Sequence, residues 1–394
     1  MPRTIMAWPL PEAAAALRLP DVTGNVTEAP VRCTIEALVR STAEAPVRST
    51  IEAPVRLLIV TDAWAPQVNG VVRTLTTMVE MMRARGDTIE VIGPDRFRSI
   101  PMPGYREIRL AIAPRRRLAR LVDAYAPGAV HIATEGPLGW AMRALCLRRG
   151  WPFTTAFHTK FAEYMQARAG IPAAWSWRVL RRFHAPASAT MAATPSLRAE
   201  LARRGFRAVQ SWSRGVDLQR FRPQPREPFE EVPRPIFLYA GRLAVEKNVA
   251  AFLALDLPGS KVVVGDGPLR AKLMKRFPEA RFLGWRDNGA LARAYAGADV
   301  FVFPSRTDTF GLVLLEALAS GTPVAAFPVT GPVDVVTDPR VGVLDDDLRR
   351  ACLKALDCDR QAARLHAETF SWEASLAQFR GALAPFHQAP DPAI

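Results

Sequence analysis

Short apolar runs alternate with amphipathic stretches along most of the chain. VRLLIVTD (55–62) is followed by the loop AWAPQVNG and then by VVRTLTTMVEMMRARG, whose apolar residues recur at helical spacing. TIEVIGP (88–94), AVHIAT (129–134), FTTAFH (153–158) and ATMAATP (189–195) follow, separated by helical stretches. A continuous apolar run marks a strand buried on both faces, as in a parallel sheet covered by helices. The order therefore predicts a doubly wound α/β domain over 55–221. Residues 222–235, RPQPREPFEEVPRP, hold five prolines and read as a linker. Alternation restarts with IFLYAGR, SKVVVGDG, ARFLGW, DVFVFPS and TPVAAFP, which predicts a second α/β domain over 236–370. The helical stretch SWEASLAQFRGALAPF spans 371–386, and 387–394 form a tail.

The N-terminus breaks this pattern. EAPVRCTI, EALVRSTA, EAPVRSTI and EAPVR begin at Glu28, Glu36, Glu44 and Glu52, a tandem repeat of eight residues. That period fits neither a heptad nor a solenoid, and proline in three of the four copies opposes a helix. A poorly ordered extension is expected over 1–54. No methionine stands between Met6 and Met78, and Val55 directly precedes RLLIVTD, so a natural start at Val55 is also expected.

With 394 residues, 49% of them apolar, the chain can bury two substantial cores. No apolar run reaches the roughly 20 residues of a membrane span. The first residues, MPRTIMAWPLPEAAAALRLP, are interrupted by proline and acid and do not read as a signal peptide. Cys33, Cys146, Cys352 and Cys358 lack disulfide or zinc spacing, which fits a reducing cytosol. The formal charge is +14, and residues 56–220 carry all the excess, with 26 Lys+Arg against 11 Asp+Glu. Residues 221–394 have 21 of each. A basic half suits an anionic partner, nucleic acid or lipid; an arginine-rich composition is the bland alternative. No aromatic-basic RNA motif or zinc module accompanies it.

In open α/β sheets, ligands bind beyond the carboxyl ends of the strands. Asn69 and Gly70 stand there, before a helix. A glycine lets backbone approach a phosphate, and a helix N-terminus favours negative charge; a simple turn is the alternative. GRLAVEKN places Arg242 at a strand end and Lys247 five residues on, two cations that suit a diphosphate or simply line a solvated loop. VGDGP offers Gly265 and Gly267 without a complete dinucleotide fingerprint. In PSRTDTFGLVLLEALASG (304–321), Asp308 lies in the loop after a strand. The amides around Phe310–Val313 open the next helix and are available to an anion. Glu316 sits amid apolar residues, where an acid is costly without a ligand or an arginine partner. An N-cap is the alternative for Asp308. DDD at 345–347 formally contains Asp-x-Asp but precedes LRRACLKAL and reads as a helix cap.

Taken in order, PQVNGVVRT, GRLAVEKN, GDGPL and the acid-x7-acid stretch DTFGLVLLE resemble the retaining glycosyltransferases of family GT4, over about 56–385. PQVNGVVRT and SRGVD (213–217) look like the bacterial α-mannosyltransferase and sulfoquinovosyl-diacylglycerol synthase branch, many of whose members glycosylate lipids. The resemblance implies the GT-B fold, two Rossmann-like domains facing across a cleft, with 371–386 crossing back to the first domain. It also implies roles. Glu316 would hold the ribose hydroxyls of the nucleotide and Asp308 hydroxyls of the donor sugar. Arg242 and Lys247 would neutralise the diphosphate, backbone amides at Phe310, Gly311 and Leu312 would contact sugar or phosphate, and Gly70 would lie beside the phosphates. His158, in AFHTKF, would approach the donor sugar. His158, Arg242, Lys247 and Asp308 are thus the candidate catalytic residues. Asn69, Gly70, Gly265, Gly267, Phe310, Gly311, Leu312 and Glu316 are the candidate donor-binding residues. Asp308 departs from the Glu of many relatives and reaches less far.

The implied reaction moves a hexose, mannose first, from a nucleotide-diphosphate sugar to a lipid or glycolipid, with retention. GDP-mannose is the first expectation for the donor and a UDP-sugar the next. Neither metal nor cofactor is expected, since cations and a helix dipole stabilise the leaving group. The basic half is expected to dock on an anionic membrane at the cytoplasmic face, through APRRRLARLV (113–122) and AWSWRVLRRF (174–183), with apolar residues toward lipid; the alternative is that the apolar sides pack into the core and the arginines are solvated. The alternatives are a soluble or polysaccharide acceptor with a UDP-sugar donor, and a nucleic-acid-binding protein.

Overall fold

The computed structural model describes residues 53–386, except 68, 103–104, 113, 159, 161–171, 226–228 and 230–231. The expected disorder of the octad repeats, the 387–394 tail and part of the proline-rich linker therefore lie outside the described residues.

The first half is built on six parallel strands: β1 (Arg56–Val60), β2 (Thr88–Ile92), β5 (Ala129–Ile132), β6 (Thr154–Phe157), β7 (Ala189–Ala192) and β8 (Val209–Ser211). Their order is β2-β1-β5-β6-β7-β8. A separate antiparallel hairpin, β3 (Ser99–Met102) and β4 (Tyr105–Ala111), stands between β2 and β5 in the chain. Among the described residues the helices of this half are α1 (Gly70–Ala84), α2 (Arg115–Tyr125), α3 (Pro137–Arg149), α4 (Ala173–His184) and α5 (Pro195–Arg203). Successive side chains of β1 point to opposite faces, and both faces are covered. Leu57 and Ile59 pack with Leu75, Met78 and Trp212, whereas Leu58 and Val60 pack with Leu118, Val122 and Phe153. This two-sided burial is why β1 reads as an unbroken apolar run.

The second half repeats the plan with β9 (Ile236–Ala240), β10 (Ser260–Val264), β11 (Arg281–Gly284), β12 (Val300–Phe303), β13 (Val324–Ala326) and β14 (Gly342–Leu344). The order β11-β10-β9-β12-β13-β14 reverses direction between β9 and β12, the switch point where open sheets bind ligands. Its helices are α6 (Val249–Leu253), α7 (Arg270–Arg276), α8 (Asn288–Gly297), α9 (Leu312–Ala319), α10 (Pro332–Val335), α11 (Leu348–Ala355) and α12 (Arg360–Glu368). Every apolar run assigned to a strand forms one. The sequence reading does not include the hairpin or the edge strands β8 and β14, three residues each: β8, VQS, is interrupted by polar residues, and β14, GVL, is too short a run to stand out.

The last helix, α13 (Trp372–Ala382), is capped by Ser371, whose hydroxyl accepts from the Ala374 amide at 2.9 Å. It docks on the first half. Leu376, Phe379 and Leu383 join the core of Leu57 and Trp212, Ser375 donates to the Ser213 carbonyl at 2.8 Å, and Arg380 pairs with buried Asp87. In the linker, Phe229 and Val232 are buried against the second half, and Arg234 Nη1 donates to both carboxylate oxygens of Asp299 at 2.7 and 2.8 Å. Asp347 caps α11 through the Arg349 and Arg350 amides, and Asp345 is held by Arg350 at 2.5 Å. Among the described residues no group of three or more His, Cys, Asp and Glu is arranged to hold a metal.

The two arginine-rich helices differ from expectation in one respect. Leu118 and Val122 of α2 and Trp177, Leu180 and Phe183 of α4 face the protein core, not outward; Trp177 stacks on Phe157 at 5.6 Å. Arg115, Arg116, Arg117 and Arg120 of α2 are exposed, as are Arg178, Arg181 and Arg182 of α4. Only Trp175, 60% exposed, projects a large apolar group from the basic face of α4. Among the described residues no helix is long and apolar enough to cross a membrane.

Candidate active site

The switch point brings the loop after β9 against the loop after β12. Lys247 Nζ donates to Asp308 Oδ1 at 2.5 Å. Asp308 therefore does not cap α9; its second oxygen, Oδ2, is inaccessible and lacks a partner among the described residues. Arg242 is half-buried, and its carbonyl accepts from Tyr239 Oη at 2.8 Å, fixing the loop. Gly311 precedes α9 with φ +86, a conformation that favours glycine. Among the described residues no side chain caps this helix, so its first amides, at Leu312 and Val313, are left without a capping partner. Phe310 is buried, anchoring the turn.

Gly265 and Gly267 have a structural explanation that needs no ligand. A Cβ on Gly265 would stand 1.9 Å from the Gly241 carbonyl oxygen, and one on Gly267 2.5 Å from that of Leu243. The two glycines let the loop after β10 lie against the loop that carries Arg242, with Leu243 N bonded to the Asp266 carbonyl at 2.9 Å.

Glu316, within α9, is 2% exposed. Tyr295 Oη donates to Oε2 at 3.1 Å, and Arg73 of α1, from the other half, pairs with Oε1. Burial pushes the Glu316 carboxyl above the ordinary range, opposed by Arg73 and Tyr295. The acid expected to meet a ribose is thus paired with an arginine from across the cleft.

In the first half, Asn69 Oδ1 accepts from the Val71 and Val72 amides at 3.0 Å, so this side chain caps α1. Gly70 faces Leu312 of the opposite half; a Cβ there would lie 3.8 Å from its Cδ1. His158 follows β6, and its carbonyl accepts from Thr309 Oγ1 at 2.6 Å, which sets this backbone beside the Asp308 loop, while its ring meets that of Trp212 edge-on at 5.4 Å. Nε2 is buried with no partner among the described residues. Burial, and then the charge of Arg214, push the His158 pKa well below its usual value. Two further contacts close the halves together. Lys160 Nζ reaches Thr330 Oγ1 at 3.1 Å, and Asp334 accepts from the Ser196 amide at 2.8 Å and from its hydroxyl.

Sequence reasoning did not single out Arg73, Arg214, Tyr295 or Asp62. Arg73 and Arg214 lie inside quoted motifs, but nothing local shows that one reaches the opposite half and the other is 4% exposed. Asp62 follows β1 and accepts from the Leu138 and Gly139 amides at 3.0 and 3.3 Å, capping α3, a partnership 76 residues away in the chain.

Two Rossmann-like halves that meet at their strand-end loops, with cations, an open helix start and a buried acid at the junction, define a GT-B glycosyltransferase. Comparison with known proteins narrows the class. Residues 68–220 match the model of Glycosyltransferase Family 4, and 234–357 that of Glycosyl transferases group 1. A GDP-mannose-dependent alpha-mannosyltransferase of Mycobacterium tuberculosis is 35% identical over 315 residues, covering 73% of this chain and 82% of the relative. A sulfoquinovosyl transferase of Arabidopsis thaliana is 26% identical over 361 residues, covering 79% and 70%. Among solved structures, a sucrose-phosphate synthase from Thermosynechococcus elongatus superposes with a TM-score of 0.65 at 22% identity, covering 82% of this chain and 97% of that one, a likeness of fold. The chain belongs to glycosyltransferase family 4 and is a glycosyltransferase enzyme.

Proposed function

We propose that the protein transfers mannose from GDP-mannose to a lipid or glycolipid, with retention and without a metal. The observation that carries the placing of the reaction is the 2.6 Å bond from Thr309 to the His158 carbonyl. It joins the halves where Asp308, Lys247 and the open start of α9 converge with His158. Buried atoms without partners, His158 Nε2 and Asp308 Oδ2, are what sugar hydroxyls would satisfy.

Lys247, Arg242 and the first amides of α9 would take up the charge that grows on the diphosphate as the bond to the sugar C1 breaks. The acceptor hydroxyl would bond to C1 and pass its proton to a phosphate oxygen. Glu316 would turn from Arg73 to the ribose hydroxyls. The choice of mannose and of retention draws on the similar alpha-mannosyltransferase, since GDP-mannose is itself an α-linked donor. A lipid acceptor is favoured by the basic first half, which carries 26 Lys+Arg against 11 Asp+Glu over 56–220.

A transfer assay with GDP-mannose, UDP-glucose and UDP-galactose, against lipid extract and soluble glycans, with and without EDTA, tests each part. Transfer from GDP-mannose to the lipid fraction, unchanged by EDTA and giving an α-mannoside, is the expected result. Exclusive use of a UDP-sugar, a soluble acceptor, or loss of activity restored by Mg²⁺ or Mn²⁺ would each overturn the corresponding part.

A further inference from the structure

We propose that Arg214 is a positioning residue that locks the tautomer of His158, holding the ring neutral with its proton on Nε2 so that it presents a hydrogen-bond donor to the cleft. The inference rests on the reading of His158 as the group that meets the donor sugar. Arg214 Nη2 lies 3.3 Å from His158 Nδ1. A guanidinium has only donors, so at this contact Nδ1 must be the acceptor. A neutral imidazole that accepts at Nδ1 carries its proton on Nε2, and Nε2 is the buried atom without a partner.

Arg214 is held where it can impose this. Its Nη1 donates to the Trp212 and Ser213 carbonyls at 2.5 and 2.9 Å, and its guanidinium lies 4.3 Å from the Trp212 ring centroid. Among the described residues no carboxylate pairs with it. Burial lowers its pKa to about 9, which still leaves it charged at neutral pH. A second proton on His158 would bring an N–H of a charged ring against an N–H of a charged guanidinium, so the imidazolium is excluded. The other charged or titratable groups around the ring are His131 and His184, and the Lys247–Asp308 pair lies beyond Thr309.

The neighbouring histidines show the contrast. His131 Nδ1 meets Thr154 Oγ1 at 2.9 Å, and His184 Nδ1 meets Thr155 Oγ1 at 2.8 Å. A hydroxyl both donates and accepts, so the contact of His131 does not lock that ring, whereas His184 is fixed from the other side, its Nε2 meeting the acceptor Glu135 Oε1 at 3.2 Å. His158 has a donor-only neighbour. Without it, the ring could place its proton on Nδ1 and offer the sugar an acceptor instead.

The test is nitrogen-15 NMR of the full chain carrying ring-labelled histidine, with the His158 signals identified by their loss in His158→Gln. In the wild type, Nδ1 should resonate as unprotonated and Nε2 as protonated. In Arg214→Met the two nitrogens should move toward a mixed population, and kcat should fall about 10²-fold with a much smaller change in KM, since a misoriented contact acts at the transition state. Arg214→Lys, a donor-only cation, should restore the wild-type pattern. A proton on Nδ1 in the wild type, or a pattern in Arg214→Met identical to the wild type, would overturn the lock. The wild-type spectrum decides even if a variant does not fold. A wild-type spectrum as expected together with full activity in His158→Gln would uphold the lock and overturn the role given to His158.

Discussion

Arg73 on α1 and Glu316 on α9 form an ion pair that bridges the two halves of the enzyme, and the acid is the one proposed to hold the nucleotide ribose. Arg73 and a nucleotide ribose would therefore compete for one carboxylate. Glu316→Gln keeps size and a bond to Tyr295 but loses charge. Hydrogen bonds to charged groups contribute roughly 1.5–3 kcal/mol, so affinity for a nucleoside diphosphate should fall about 10- to 100-fold. Arg73→Met removes the competitor and should tighten the same binding. Calorimetric titration checks both; weaker binding in Arg73→Met would mean that Arg73 touches the nucleotide itself.

Lys247 and Arg242 are proposed to meet the diphosphate. Lys247→Ala and Arg242→Ala should each reduce kcat by about 10²–10³, the usual cost of removing one contact to a developing charge. Circular dichroism should show the fold retained, since both residues stand partly exposed in the loop after β9. Turnover at the wild-type rate in either variant would remove that residue from the proposed machinery.

Two buried groups should give the stability opposite pH dependences. Burial pushes His131 down from 6.5 to about 3. Its contribution is therefore present above pH 6.5 and lost as pH falls toward 3. Burial pushes Asp62 up from 3.8 to about 6, so its contribution is present below pH 3.8 and lost as pH rises through 6. Between neutrality and pH 4, acidification should cost about 3 kcal/mol through His131 and return about 2 kcal/mol through Asp62. Relative to wild type, His131→Gln should gain stability on acidification and Asp62→Asn should lose it. Urea unfolding across this range measures both, and the same pH slope in all three proteins would contradict the assignment.

The basic face of α4 is the proposed membrane contact. Trp175, Arg178, Arg181, Arg182 and Arg207 line a groove of about 750 Å³. Each basic residue near an anionic surface contributes about 1 kcal/mol, so replacing Arg178, Arg181 and Arg182 by Gln should weaken cosedimentation with phosphatidylglycerol vesicles roughly 100-fold at low salt. Trp175→Ala should weaken it further. Equal, negligible binding of the wild type to neutral and anionic vesicles would make a soluble acceptor the better reading.

The buried parallel strands were legible in the chain because each is covered on both faces and must be apolar throughout, as Leu57–Val60 and Ile236–Ala240 are. Asp308, Lys247 and Glu316 were legible as candidates because charged residues at strand ends or among apolar neighbours demand a partner. Who that partner is depends on contacts distant in sequence. The strand order sets Lys247 on Asp308, 61 residues away, and closure of the halves sets Arg73 on Glu316, 243 residues away. Tertiary packing also decided that Gly265 and Gly267 admit a neighbouring backbone, and that the apolar sides of α2 and α4 face inward. Local pattern measures how apolar a segment is, whereas burial and pairing depend on which other segment covers it. The tautomer proposed for His158 follows the same rule: the donor that would set it, Arg214, stands 56 residues along the chain and reaches the ring only in the folded protein.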